Sequence, residues 1–219
     1  MRFMRVGLSR TMHERGGGMM KSCLLCGVGG QGTVLASRIL ASAAMEQGWF
    51  ARTAETIGMA QRGGSVVSHV RFGERVASAL IPEGKADVLI AFEPGEGVRN
   101  LKYLKRGGTV IVADKAIPPV TASLGKSEYQ GGEMVEYLKK HAAKCVIVNP
   151  EEAEAVCGTE KALNVALVGA AVSKGGLGLS AEAVERVLTR RIKPAYLEMN
   201  QKALRFGMQA EEVNNEDDR

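Results

Sequence analysis

Aromatic side chains are scarce, with one tryptophan, four tyrosines and five phenylalanines among 219 residues. No basic stripe interleaved with aromatics is available to stack on bases, so nucleic-acid binding is not expected. No apolar run approaches the roughly 20 residues that span a bilayer, so no membrane segment is expected either. The first 20 residues hold four arginines and Gly16-Gly17-Gly18 without a continuous apolar stretch, which does not read as a secretory signal. Cysteines number only four, Cys23, Cys26, Cys145 and Cys157. That usage fits a reducing cytoplasm better than a disulfide scaffold. Cys23-x-x-Cys26 is the one pair with metal or redox spacing, and it falls in a strand-like run. Strand residues three apart point to opposite faces, and a zinc or iron–sulfur site needs about four ligands. Both thiols are therefore expected to be structural. Histidines number three, His13, His69 and His141, each reading as solvated or structural. No Ser/His/Asp spacing, paired carboxylates or metal-ligand cluster stands out.

What remains is ordinary for a globular chain: 45% hydrophobic and 24% charged residues. The length suits one α/β domain with small additions. The net charge of +5 is uneven. Met1–Met20 carries Arg2, Arg5, Arg10 and Arg15 against Glu14, whereas the end from Glu211 carries five acids against Arg219. The body between is mildly basic, which suits an anionic ligand or partner. Residues 1–20 read as a disordered N-terminal extension or an over-long start ahead of Met19 and Met20. Residues 21–210 read as the domain and 211–219 as an acidic tail.

The most telling stretch is Gly27-Val28-Gly29-Gly30-Gln31-Gly32. Cys23-Leu24-Leu25-Cys26 before it reads as a strand, and Thr33–Ala41 after it as a helix stopped near Gly48. Gly27, Gly29 and Gly32 fit G-x-G-x-x-G, a tight turn that points helix N–H groups at an anion. Phe50–Glu55 reads as a second strand. Ser65–Phe72 alternates, with Val66, Val70 and Phe72 inward, His69 and Arg71 outward, and a short partner near Val76–Leu80. Ala86–Phe92, Gly108–Ala113 and Cys145–Val148 look like buried strands, the last closing the sheet. Helices are expected at Pro94–Lys105, Glu133–His141, Ala162–Lys174, Ala181–Arg191 with Ser180 as N-cap, and Pro194–Ala210. Ala116–Gly131 reads as a loop. The fold class is α/β: a Rossmann-like, mixed, mostly parallel sheet with flanking helices and a C-terminal helical cluster.

Glu55 stands where a dinucleotide-binding fold puts its ribose-binding acid. Yet Thr56–Ser65 is not the helix such a unit needs next. It is a second glycine-rich loop, Gly58-Met59-Ala60-Gln61-Arg62-Gly63-Gly64. Two anion-friendly loops without a proton-handling group leave a nicotinamide- or flavin-dependent oxidoreductase, or a stand-alone binding module, as alternatives.

The two glycine loops together, with Ser65-Val66-Val67-Ser68-His69-Val70-Arg71, closely resemble the gamma domain of 2-oxoacid:ferredoxin oxidoreductases. Met-Ala-Gln-Arg-Gly-Gly and Ser-His-Val-Arg look most like the small (beta) subunit of the indolepyruvate:ferredoxin enzymes. Further matches are Ala86–Pro94, Asn164–Ala170 and Asn200–Gly207, so the likeness runs from about Lys21 to Met208. The resemblance implies an accessory cytoplasmic subunit without catalytic residues or cofactors of its own. Thiamine diphosphate and iron–sulfur clusters would belong to a larger partner subunit, and ferredoxin would be reached through the complex. The reaction implied is oxidative decarboxylation of an arylpyruvate to an acyl-CoA. The residues implied in binding are Gly27, Gly29, Gly30, Gln31, Gly32, Gln61, Arg62, Gly63 and Gly64, with coenzyme A as a shared ligand.

Overall fold

The fold is taken from a computed structural model that describes residues 20–57, 64–118 and 129–214. Met20–Val28 forms β1, with Cys23, Leu24, Leu25 and Cys26 all fully buried. A strand becomes apolar on consecutive residues only when both faces are covered. Thr33–Glu46 forms α1, and the chain returns through Gly48, at a φ of 82°. Then follow β2 (Phe50–Ile57), β3 (Ser65–Gly73) and β4 (Ala86–Ala91). Next come α2 (Pro94–Asn100), β5 (Leu104–Ala113), α3 (Gly131–His141) and β6 (Lys144–Val148). The C-terminal part comprises α4 (Pro150–Cys157), α5 (Leu163–Lys174), α6 (Ala181–Arg191), α7 (Pro194–Met208) and β7 (Glu212–Asn214).

One seven-stranded sheet runs in the order β2-β3-β1-β4-β5-β6-β7. The block β1-β4-β5-β6 is parallel, while β3 and β7 are antiparallel to their neighbours. The strands separate two apolar layers. Cys23, Leu25, Val70, Phe72 and Val88 pack with α1 and the helices from α5 onward. Leu24, Cys26, Leu89, Val110 and Cys145 pack on the other side with Leu138 of α3. Cys23 and Cys26 thus lie in different layers, as strand geometry requires. Trp49 stacks on Phe72 where α1 meets β2, with ring centroids 5.5 Å apart.

Several elements differ from the sequence expectation. The helix expected over Pro94–Lys105 ends at Asn100, becomes a 3₁₀ turn at Leu101–Tyr103, and β5 starts at Leu104. No strand forms near Val76–Leu80. Instead, the Arg52 and Arg71 side chains hold this stretch by donating to the carbonyls of Val76, Ser78 and Leu80. His69 is not on an open face but 6% exposed, its Nδ1 accepting from the Ile81 N–H at 3.1 Å. The sheet does not close at β6, because Glu212–Asn214 adds β7 beside it. Helix α4 was not expected at all, and α7 stops at Met208.

Candidate functional site

Helix α1 leaves β1 over one face of the sheet, and α2 leaves β4 over the other. The carboxyl ends of β1 and β4 therefore border a crevice at a topological switch point, where ligands bind in open α/β sheets. The turn Gly29–Gly32 lies at this crevice. Gly30 and Gly32 have φ angles of 105° and 85°, in the left-handed region that glycine alone adopts readily. Gly32 is the N-cap of α1 and no side chain caps the helix, so its first N–H groups are left for solvent or a ligand. Among the described residues, a Cβ on Gly30 would meet nothing within 4 Å.

The turn is braced from three directions. Gln31 accepts from the Val28 N–H through Oε1 at 2.6 Å and donates from Nε2 to the Phe92 carbonyl at 2.8 Å. Both ends of its amide are thus committed inside the protein. A Cβ on Gly27 would stand 2.6 Å from Gln31 Oε1 and 2.8 Å from Phe92 Cβ, so the brace requires glycine there. The Gly29 N–H donates to the Gly64 carbonyl at 2.9 Å, tying the two glycine loops together. Gln61, Arg62 and Gly63 lie outside the described residues. From the helical cluster, Asn164 closes the remaining side. Its Nδ2 lies 2.4 Å from where a Gly32 Cβ would be, and its buried Oδ1 has no hydrogen-bond partner.

Across the crevice stand two buried carboxylates absent from the sequence reading. Glu93 and Glu96 are 1% and 4% exposed. Glu93 caps α2 by accepting from the Glu96 N–H at 2.8 Å, and Tyr129 donates its hydroxyl proton to the other oxygen. Burial, reinforced by that bond, raises the Tyr129 pKa. Glu96 accepts from the Ser65 hydroxyl at 2.6 Å and pairs with Arg99. The signal for the cap was Glu93-Pro94 with an acid three residues on, but the Ser65 and Tyr129 contacts span 31 and 36 residues of sequence.

Other groups fall short of chemistry. Burial pushes the Cys23 and Cys26 thiols up, with Glu96 and Glu93 adding to the effect on Cys26, and pushes Cys145 up to about 12. Such thiols do not become ligating thiolates, and the residues do not fit an iron–sulfur cluster. Among the described residues no group of three or more His, Cys, Asp or Glu is arranged to hold a metal ion. Glu55 does not take a ribose-binding place. Strand β3 intervenes between β1 and β2, and the Glu55 carboxylate pairs with Arg38 at 3.9 Å. No single helix among the described residues is long and apolar enough to cross a membrane.

Known proteins share this architecture. The indolepyruvate oxidoreductase subunit IorB of Pyrococcus horikoshii is 39% identical over 189 residues, 85% of this chain and 94% of that protein. The subunit of the same name from Archaeoglobus fulgidus is 40% identical over 190 residues, 86% of this chain and 94% of its own length. The crystal structure of the keto/oxoacid ferredoxin oxidoreductase gamma subunit from Geobacter sulfurreducens superposes with a TM-score of 0.61 at 26% identity, covering 86% and 96% of the two chains. The family model described as pyruvate ferredoxin/flavodoxin oxidoreductase matches residues 22–210, which include the glycine turn, both buried glutamates and Asn164. The chain belongs to the pyruvate ferredoxin/flavodoxin oxidoreductase family.

Proposed function

We propose that this chain is the small subunit of an indolepyruvate, or more broadly arylpyruvate, ferredoxin oxidoreductase. The observation that carries the reading is the 35–40% identity to four indolepyruvate oxidoreductase subunits over about 85% of the chain. The complex oxidatively decarboxylates the 2-oxoacid with coenzyme A and oxidised ferredoxin, yielding an acyl-CoA, carbon dioxide and reduced ferredoxin. Thiamine diphosphate and the iron–sulfur clusters reside on a larger partner subunit in the cytoplasm, and the isolated chain is inactive.

The carboxyl edge of the sheet is the working face in this reading. The turn at Gly30 and the uncapped α1 favour a phosphate group, for which coenzyme A is the shared ligand. Arg62, in the loop tied to the turn through Gly64, supplies charge to that ligand or to the partner. The antiparallel β3 between β1 and β2 disfavours the nicotinamide alternative.

The test is reconstitution. The chain and the larger thiamine and iron–sulfur subunit are purified anaerobically, separately and together, and arylpyruvate- and coenzyme A-dependent ferredoxin reduction is measured. Activity is expected from the pair alone. Turnover by the isolated chain, or a larger subunit fully active without it, overturns the assignment. With Arg62→Ala in the pair, the KM for coenzyme A should rise, or subunit association weaken, about ten- to hundredfold.

A further inference from the structure

Arg52 of β2 and Arg71 of β3 stand directly opposite each other in the antiparallel register. Residues so paired share one face of the sheet, and like charges in that position repel. Among the described residues their partners are carbonyls and a thioether, and neither arginine pairs with an acid. Arg52 Nε donates to the Val76 carbonyl, Arg71 Nη1 to those of Ser78 and Leu80, and Arg71 Nη2 to Met20 Sδ. Arg52 is exposed, and its two terminal nitrogens donate to none of the described residues. Large apolar side chains surround this pair. Phe50, two residues before Arg52 on the same side of β2, is 69% exposed. Met20, across Gly73 from Phe50, is 44% exposed, and Leu80, whose carbonyl Arg71 holds, is 58% exposed. Ala51 packs with the α1 layer, so this group occupies the other face, at the free edge of the sheet.

We propose that this face docks the larger subunit, through a carboxylate of that subunit seated on Arg52 and flanked by apolar side chains that cover Phe50, Met20 and Leu80. The inference rests on the reading of the chain as a small subunit and adds the face by which it binds. The terminal nitrogens of Arg52 offer the two-donor edge that a carboxylate takes, and Arg71 adds its field from behind. Charge and reach select this occupant. A second copy related by a two-fold axis would bring the same cations against each other. Residues 1–19, which lead into Met20, carry four arginines against Glu14. The acidic end of the chain follows β7, six strand spacings or about 29 Å from β2. Its five residues beyond Asn214 reach at most about 18 Å. Met20 begins β1 while the glycine turn follows its end, so docking here leaves the crevice clear for a ligand.

Association of the full chain with the larger subunit, measured by calorimetry under anaerobic conditions, tests the face. Arg52→Glu turns a like-charge cross-strand pair into an opposite one, so its thermal midpoint should hold while binding falls about a hundredfold. Arg52→Gln and Phe50→Ser should each weaken binding about tenfold, and wild-type affinity should fall as salt rises. Tyr196→Ser, an exposed aromatic on α7, should bind as the wild type does. At saturating larger subunit, Arg52→Gln should recover full turnover, because the residue docks and does not touch substrate. Hydroxyl-radical footprinting of the wild-type chain needs no variant, and Met20, Phe50 and Leu80 should be protected by the larger subunit. A wild type that does not associate at all overturns the small-subunit reading together with this face. A wild-type complex in which those three residues stay unprotected, or which Arg52→Glu and Phe50→Ser form equally well, overturns the face alone. A dimer of the isolated chain that Phe50→Ser dissolves, with the complex unaffected, assigns the face to a second copy and likewise overturns it.

Discussion

Gln31 shows how a side chain that looks like a ligand can be consumed by the loop that carries it. Its amide closes β1 onto the start of α2, with its oxygen and its nitrogen each engaged in one bond inside the protein. Gln31→Ala removes both bonds and leaves the Val28 N–H and Phe92 carbonyl to find new partners. We expect a loss of about 1–3 kcal/mol in stability, measured by denaturant unfolding. Gly30→Val should behave differently. No neighbour among the described residues stands in its way, so its cost is the φ of 105°, a conformation a β-branched residue resists. Gly30→Ala and Gly30→Val should both fold with lowered thermal midpoints, and both should impede an anion approaching the turn. His69 carries the clearest pH signature. Burial lowers its pKa, so the folded state favours the neutral ring that accepts from Ile81. Its contribution is present above the unfolded value near 6.5 and is lost as pH falls below that value towards the lowered one. His69→Gln should flatten the acid side of the stability–pH curve, read from thermal midpoints across that range.

Helices α5 and α7 approach closely enough that side chains are excluded between them. A Cβ on Gly207 would stand 1.8 Å from the Ala166 carbonyl oxygen, and one on Gly169 2.2 Å from that of Leu204. Both obstacles are backbone, which cannot rotate away. Gly207→Ala and Gly169→Ala should each cost about 1–3 kcal/mol or more by overpacking, despite alanine's better helix propensity. A thermal midpoint unchanged by both would mean the helices separate without penalty. A polar clamp fastens α1 to the turn before α6. Gln47 donates to the Gly178 carbonyl at 3.0 Å and accepts from the Ser180 N–H at 2.7 Å, while Glu46 pairs with Arg186 and Arg190. The Ser180 cap on α6 was legible because an N-cap acts within one turn. Helix α4 carried an equal signal, Asn149 before Pro150, with Asn149 Oδ1 accepting from Glu151 and Glu152 N–H groups. Its apolar content is too low to stand out by periodicity.

The sheet as a unit depends on its late addition, β7. β7 covers the outer edge of β6, and Lys144 pairs with Glu212 at 3.1 Å across that edge. A chain ending at Ala210 exposes the row of unpaired β6 groups, and we expect a lower thermal midpoint and greater association, followed by light scattering. Removing Met1–Gly18, which lacks a periodic apolar face, should leave the midpoint unchanged. A drop would mean that this segment packs on the domain.

Hydrophobic runs and glycine spacing were enough to read an α/β fold, the buried strands β1, β4, β5 and β6, and the turn at Gly27–Gly32. Each of these is a local consequence of burial on both faces or of backbone conformation. Sequence also predicted that Cys23 and Cys26 would part, because a period of two is a property of any strand. Tertiary structure alone decided that β3 would enter between β1 and β2, since strand order depends on which faces the helices cover. It also brought Glu96 to Ser65, Tyr129 to Glu93 and Asn164 to Gly32. Those contacts join distant segments, and loop closure leaves no periodic trace in sequence. The family-like motifs were therefore readable one by one, whereas the tie between the two glycine loops, from the Gly29 N–H to the Gly64 carbonyl, came only with the folded sheet.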